Sequence, residues 1–204
     1  MFPCSLGWLT TCVPNPPLAN AAGLAFLLRG NGFIFSRGFG RLCDTLRTAG
    51  FWAADLRCTG DRWAVRQVLA AQRADGVAQP LLLIGHSRGG RRAIVAATAL
   101  ASLGIAVDLL VCVDVAFPPP IPGNVLRAIH LYRTRHRIYP ARPLRVAIPG
   151  SQVENLDLDH PNSPIPGRGL HHLNITTSAA VQSWIAEQAF GLLGSRVGSG
   201  AEQE

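Results

Sequence analysis

Lysine is absent from this 204-residue chain, and all 19 of its basic residues are therefore arginine. Charged residues make up only 15% of the composition, against 48% hydrophobic residues. This balance excludes a disordered polyelectrolyte and favours a single domain with a sizeable buried core. The 21 glycines and 15 prolines concentrate between apolar runs, where they mark loops.

The net charge of +7 is compatible with a nucleic acid or another acidic surface as partner. The complete exclusion of lysine, however, is more typical of a biased, GC-rich coding sequence than of selection for a partner. The one local cluster of arginines, residues 132–145, favours a solvated basic loop. No helix-turn-helix, zinc-finger spacing or aromatic RNA-binding signature accompanies it, and we expect no nucleic-acid partner.

Cysteine occurs five times, an odd number, with no C-x-x-C pair and no Cys–His spacing typical of zinc sites. The sequence therefore implies neither a metal nor an organic cofactor. Cys112 lies inside an apolar run and is predicted to be a small buried side chain. Disulfides joining Cys4 to Cys12 or Cys43 to Cys58 stay open as alternatives.

A long unbroken apolar run is also missing, so we expect no transmembrane segment. Residues 1–28 carry no charge, but four prolines interrupt them. Without a basic n-region a secretory signal fits poorly, which favours a cytoplasmic location. The stretch "LTTC" at 9–12 resembles a lipoprotein processing site, so export or lipid attachment stays open. We expect a flexible or processed segment at 1–22, one domain at 23–194 and a flexible tail at 195–204.

Apolar runs alternate with helical patterns along the chain. Strands that are apolar on both faces and alternate with helices predict a mostly parallel sheet covered by helices on both sides, the α/β class. The predicted strands cover 23–30, 51–58, 80–87 and 106–117, with further candidates at 144–148 and 152–158. The predicted helices cover 37–51, 62–76, 88–104, 124–132 and 178–194.

The stretch "LLLIGHSRGG" at 81–90 places a serine at the junction of a predicted strand and a predicted helix. The spacing of Gly85, Ser87 and Gly89 is that of a sharp turn that displays a nucleophilic serine. Glycine is needed on either side because strand and helix approach closely there. The amides at the start of the helix also favour a developing negative charge. We therefore predict that Ser87 is a nucleophile.

A nucleophilic serine needs a base, and in this motif the base comes late in the chain. His86 belongs to the turn itself and is expected to point away from the serine hydroxyl. His130 and His136 lie in the basic segment and are interpreted as surface residues. His171 and His172 lie on a predicted loop just before the last helix, and one of them is expected to be the base.

Three aspartates compete for the role of the acid that orients the base. Asp114 ends the strand that follows the nucleophile's strand and helix, whereas Asp157 and Asp159 end a later strand. Asp108 begins its strand, at the wrong end of the sheet, and Asp61 is better interpreted as a helix cap.

Two kinds of backbone amide are predicted to hold the oxyanion. One is the amide of Arg88, directly after the nucleophile. The other is the amide of Asn31 or Gly32, in the loop that follows the first strand.

Together these segments resemble the α/β-hydrolase superfamily, of the esterase, lipase and thioesterase type, from about residue 23 to 190. "LLLIGHSRGG" is similar to the nucleophile elbow, formed here by Gly85, His86 and Gly89 around the serine. In "HHLNIT" the resemblance aligns His172 with the family's base, and thioesterase-like relatives favour Asp114 as the acid. It implies a minimal α/β-hydrolase fold that cleaves a small-molecule carboxylic ester or thioester through an acyl-enzyme.

The chain departs from the family pattern at several positions. Arg88 stands where leucine or methionine is common, and Leu173 and Thr176 replace an aromatic residue and an aspartate. The usual first two strands are missing or reduced, and no insertion is long enough for a full lid, so 117–142 would at most cover the site. A catalytically inactive hydrolase-fold binding protein therefore stays as the alternative. The sequence also leaves open the acyl group, the leaving group and the oligomeric state. It does not decide whether the acyl group is transferred to water or to another acceptor.

Overall fold

Six strands form one sheet in the computed structural model, which describes residues 21–30, 36–56, 79–135 and 142–197. The strands are β1 (Gly23–Leu28), β2 (Phe51–Leu56), β3 (Leu81–His86), β4 (Val107–Val113), β5 (Val125–Tyr132) and β6 (Gln152–Asp157). The helices are α1 (Gly38–Thr48), α2 (Arg88–Ala101) and α3 (Ala179–Val197), with a single 3₁₀ turn at Ile175–Thr177.

The sheet has the order β2-β1-β3-β4-β5-β6, and every pairing in it is parallel. All six strands therefore end at the same edge, where loops from different parts of the chain meet. This confirms the predicted α/β class and parallel sheet. Within the described ranges, no helix is long and apolar enough to cross a membrane.

Both faces of the sheet are covered, which explains why its strands are apolar on both sides. In β1, Leu24, Phe26 and Leu28 belong to the cluster under α2, while Ala25 and Leu27 belong to the cluster under α1 and α3. All six residues of β1 are buried, as are all six of β3. The central strands are thus the core of the molecule, and β6 is a more exposed edge strand.

The strands predicted at 23–30, 51–58, 80–87 and 106–117 are confirmed as β1 to β4, with shorter bounds. The helix predicted at 124–132 is wrong, because this segment is β5. Its apolar spacing fits both a helix and a strand, but the last five residues are all buried, as in an internal strand.

Asn124 comes directly before β5 and does not cap a helix. Its Nδ2 instead donates to Ala97 O at 3.0 Å and to Ile105 O at 2.7 Å. The side chain therefore ties the end of α2 to the loop before β4.

The strand candidate at 144–148 is also wrong, since only Val146 makes a bridge, to Ile121. The four residues after Leu144 in this segment are exposed, so they form no ladder.

The expectation that residues 117–142 would cover the site is also wrong for most of this segment. Its middle part is β5, which lies inside the sheet and covers nothing.

Cys112 is buried as predicted, and burial raises the pKa of its thiol to about 12. Cys43 is buried on α1. Several predictions lie outside the described residues, namely those for 1–20, Asn31, Gly32, Cys58, 62–76, His136 and 198–204.

Helix α2 lies so close to β1 that only glycine fits at the contact. A Cβ atom at Gly89 would be 1.9 Å from Leu28 O, a backbone atom that cannot move aside cheaply. We expect Gly89→Ala to lower the free energy of unfolding by about 3 kcal/mol, because the helix must shift off the sheet. Urea denaturation measures the change.

The matched control is Gly191→Ala, because nothing lies within 4 Å of a Cβ atom at this exposed position of α3. It should leave stability unchanged or raise it by up to about 1 kcal/mol through helix propensity. Equal effects of the two substitutions would contradict the close packing of α2 on β1.

Candidate active site

Ser87 connects β3 to α2 in a strained backbone conformation, with φ 56° and ψ −124°. A positive φ is unfavourable for a serine and persists only where the surroundings enforce it. Here the Ser87 amide donates to Val113 O at 2.9 Å, and a Cβ atom at Gly85 would meet the backbone of Gly89 and Gly90 at 2.5 Å. The glycines at 85 and 89 are thus required by close approach, as the sequence predicted.

Asp114 follows β4 at the position next to Ser87. His86 pairs with Val113 in the parallel ladder, so the two residues that come next leave the sheet side by side. Asp114 is buried, has φ 48°, and its amide donates to Leu131 O at 2.7 Å. Its carboxylate is therefore fixed at the carboxyl edge of the sheet.

His172 lies against this carboxylate, on the loop between β6 and α3. Its Nδ1 is 2.7 Å from Asp114 Oδ2, and its side chain is only 12% exposed. Since a carboxylate only accepts, Nδ1 carries the proton that is shared with Asp114. The second ring nitrogen, Nε2, is then left without a proton in the neutral ring and can act as a base.

Asn174 shapes the loop that carries His172. Its Oδ1 accepts from the His171 amide at 2.7 Å, and its Nδ2 donates to Gly169 O at 3.0 Å. Gln182 on α3 adds a second tie by donating to Thr176 O at 2.7 Å. Sequence reasoning missed this role of Asn174, although asparagine commonly closes such turns.

His86 makes a contact with a serine that the sequence did not reveal. Its Nδ1 is 3.0 Å from Ser36 Oγ, and its ring lies 4.7 Å from the ring of His172 between centroids. Burial and, to a smaller extent, the neighbouring His172 lower the pKa of His86 to about 3, although Asp114 opposes the shift. His86 is therefore neutral at physiological pH.

Ser36 is a poor nucleophile despite this contact. The residue is completely buried, so no substrate carbonyl reaches its hydroxyl. Its Oγ also accepts from the Gly30 amide at 3.2 Å. Ser87, by contrast, is partly exposed and leaves the sheet beside Asp114, which His172 contacts.

The interpretation of His130 as a surface residue is wrong. It is completely buried in β5, and its Nε2 accepts from the Val115 amide at 3.0 Å. Burial lowers its pKa to about 4, against the effect of nearby Asp114. The arginines that follow in the sequence suggested exposure, but the strand turns this side chain into the core.

The competing acids and the second late histidine lie elsewhere. Asp157 accepts from Thr134 Oγ1 at 2.7 Å, and Asp159 accepts from Arg133 Nε at 2.8 Å. His171 is exposed, and its Nδ1 accepts from the Leu173 amide. The structure therefore brings Asp114 and His172 together and gives the alternative residues other partners.

Gly30 lies beside Ser87 at the end of β1. A Cβ atom at Gly30 would be 3.0 Å from His86 O and 3.1 Å from Ser87 Cβ, so the two backbones nearly touch. The predicted oxyanion donors of the loop, Asn31 and Gly32, follow directly and lie outside the described residues. The other predicted donor, the Arg88 amide, belongs to the first residue of α2.

Two arginine side chains meet at Phe117, three residues beyond Asp114. Arg91 donates to Phe117 O, and the guanidinium carbon of Arg142 lies 4.8 Å from the centre of the Phe117 ring. This ring is half exposed. The carboxyl edge of the sheet therefore has a basic rim at this point.

Across the described part of the chain, no three His, Cys, Asp or Glu side chains gather as a group that could hold a metal ion.

The buried histidines predict that acid destabilises the fold. His130 has a pKa of about 4 in the folded state and about 6.5 in the unfolded chain. Below pH 6.5 the unfolded state binds the proton first, so stability is lost as the pH falls from 6.5 to 4, by at most about 1.4 kcal/mol per pH unit for this histidine. We expect His130→Gln to make the pH dependence of urea unfolding shallower in this window.

The control for this prediction is His160→Asn, at an exposed position, which should keep the wild-type pH dependence. If His130→Gln also kept it, His130 would not be the buried neutral imidazole described above.

No protein-family model matches the chain, and no curated protein matches its sequence. Solved structures do match it. The NocB thioesterase domain, in covalent complex with a fluorophosphonate nocardicin G analogue, gives a TM-score of 0.52 at 16% identity over 86% of this chain and 96% of that one.

Two other solved structures are similar to a comparable degree. The esterase domain of a Rhodothermus marinus protein gives a TM-score of 0.50 at 17% identity over 85% of this chain and 88% of that one. The surfactin-cyclising thioesterase domain SrfTE gives 0.51 at 12% identity over 83% of this chain and 92% of that one. At such identities the likeness concerns the fold: the chain has the α/β-hydrolase fold of these esterase and thioesterase domains.

Proposed function

We propose that this protein is a serine hydrolase that cleaves a carboxylic ester or thioester through an acyl-enzyme on Ser87. The observation that carries the proposal is the 2.7 Å contact between His172 Nδ1 and Asp114 Oδ2, next to a serine in a strained turn. The chain order of serine, aspartate and histidine is that of hydrolases with this fold.

In the proposed first step, Asp114 holds His172 in the tautomer with its proton on Nδ1, and Nε2 takes the proton of Ser87 Oγ. The serine oxygen attacks the acyl carbonyl carbon, and its electron pair forms the new C–O bond. The imidazolium then gives its proton to the departing alcohol or thiol as the bond to the leaving group breaks. Asp114 stabilises the positive charge on the ring without taking the proton.

Water completes the reaction. His172 Nε2 accepts a proton from a water molecule, whose oxygen attacks the acyl carbonyl, and the proton returns to Ser87 as the acid leaves. In both halves the carbonyl oxygen becomes negative. The Arg88 amide at the start of α2 is the donor we assign to this oxygen, together with the amide of Asn31 or Gly32.

The similar structures support ester or thioester chemistry without fixing the substrate. They include thioesterase and esterase domains, and the NocB domain is in covalent complex with a fluorophosphonate analogue. Such a group is the type of reagent that an activated serine attacks.

A second candidate function is a binding protein that keeps the hydrolase fold without turnover. Exposed Arg88 and the basic rim at Phe117 favour it, since fold alone does not determine function. This candidate predicts ligand binding that survives the loss of Ser87.

Steady-state hydrolysis of p-nitrophenyl esters and acyl thioesters of increasing chain length tests the proposal. We expect Ser87→Ala and His172→Ala each to lower kcat by about 10⁴-fold or more, and Asp114→Asn to act similarly by stabilising the wrong tautomer. The matched control is His171→Ala, the exposed neighbour, which should keep kcat within about twofold. Hydrolysis that is unchanged in Ser87→Ala would overturn the proposed function.

A further inference from the structure

We propose that Ser36 and His86 form a positioning pair for this reaction, which holds Gly30 against Ser87 and His172 beside Asp114. The proposal rests on the proposed function and deepens it. Neither residue is assigned a bond to the substrate. Both are completely buried, and together they join the loop after β1 to the end of β3.

The hydrogen bonds of Ser36 have a defined direction. The Gly30 amide can only donate, so Ser36 Oγ accepts from it at 3.2 Å. A buried hydroxyl proton needs an acceptor, and among the described residues the one in contact with Ser36 Oγ is His86 Nδ1 at 3.0 Å. We therefore assign the proton of neutral His86 to Nε2, so that the bonds run from Gly30 to Ser36 to His86.

Each end of this chain of hydrogen bonds lies against the reacting residues. A side chain at Gly30 would be crowded by His86 O and Ser87 Cβ, at 3.0 and 3.1 Å from its Cβ atom. The His86 ring lies 4.7 Å from the His172 ring between centroids and makes an edge contact with Phe39 at 6.5 Å. Loss of the pair would let both the backbone beside the nucleophile and the imidazole of the base move.

The neutrality of His86 also affects His172, the proposed base, because His172 takes up a positive charge during the reaction. His172 must become positively charged in the transition state, and a second imidazolium at 4.7 Å would oppose this. The groups that face His86 are Ser36, His172 and Asp114, and burial keeps its pKa far below that of an exposed histidine. His86 thus contacts the base without competing with it for the proton.

The test measures kcat, KM and the pH profile of kcat/KM, with the concentration of active sites fixed by fluorophosphonate titration. We expect Ser36→Ala and His86→Leu each to lower kcat by about tenfold to 100-fold with KM within about twofold. The double variant should be no worse than the poorer single one, because the two residues act as one unit. His86→Leu should also shift the pH profile, since it removes a neighbour of His172.

His86→Asn is the rescue variant, because its Oδ1 can replace Nδ1 as acceptor for the Ser36 hydroxyl. It should recover most of the loss in kcat seen with His86→Leu. Ser102→Ala, on the exposed end of α2, is the control and should match wild type. Normalising to titrated sites removes the effect of a smaller folded fraction, and Ser36→Ala carries the test where the leucine variant does not fold.

The outcomes separate this proposal from the proposed function. Wild-type kcat and a wild-type pH profile in Ser36→Ala and His86→Leu alike would overturn the positioning role, even if turnover still required Ser87. Additive losses in the double variant would also overturn it, because the two residues would then act independently. Wild-type protein without Ser87-dependent turnover would overturn the proposed function itself.

Discussion

The parallel pairing of β3 with β4 is the constraint on which the site depends. Because His86 lies opposite Val113, the next residues of the two strands, Ser87 and Asp114, leave the sheet together. Both have a positive φ, 56° and 48°, and both are held there by a backbone hydrogen bond to a neighbouring strand. A slip of one residue would turn these side chains to opposite faces and separate them.

Three imidazoles surround the buried carboxylate of Asp114, and their hydrogen bonds give them different roles. His130 accepts from the Val115 amide and His86 contacts Ser36, and burial lowers the pKa of both rings so that they are neutral. Only His172 bonds directly to Asp114. The negative charge of Asp114 thus acts most directly on one histidine, as the proposed role of His172 as general base requires.

Much of the fold could be predicted because its central strands are short apolar runs bounded by glycine and helical patterns. Segment 124–132 could not be assigned correctly, since the same spacing of apolar residues fits one face of a helix and a fully buried strand. Its context decided the outcome: β4 and β6 flank it, and both backbone edges are paired. His130 was misplaced for the same reason, because a helix and a strand over this segment bury different side chains.

The residues of the site also include some that the sequence could reveal and some that it could not. Ser87, Asp114 and His172 carry signals that a sequence can reveal, namely spacing, chain order and position at strand ends. Ser36 gives no such signal, because its contact with His86 spans 50 positions and depends on how the start of α1 packs against the end of β3. Its burial and its hydrogen bonds follow from tertiary packing alone, so only the structure could find it.

The most direct test of Ser87 as the nucleophile is to map the adduct of a fluorophosphonate probe on the folded protein. Without lysine, trypsin cleaves only after arginine, so Ser36 falls in peptide 30–37 and Ser87 in peptide 74–88. We predict an adduct at Ser87, on peptide 74–88, that forms in wild type and is lost in His172→Ala. An adduct on peptide 30–37, or none on well-folded protein, would contradict it.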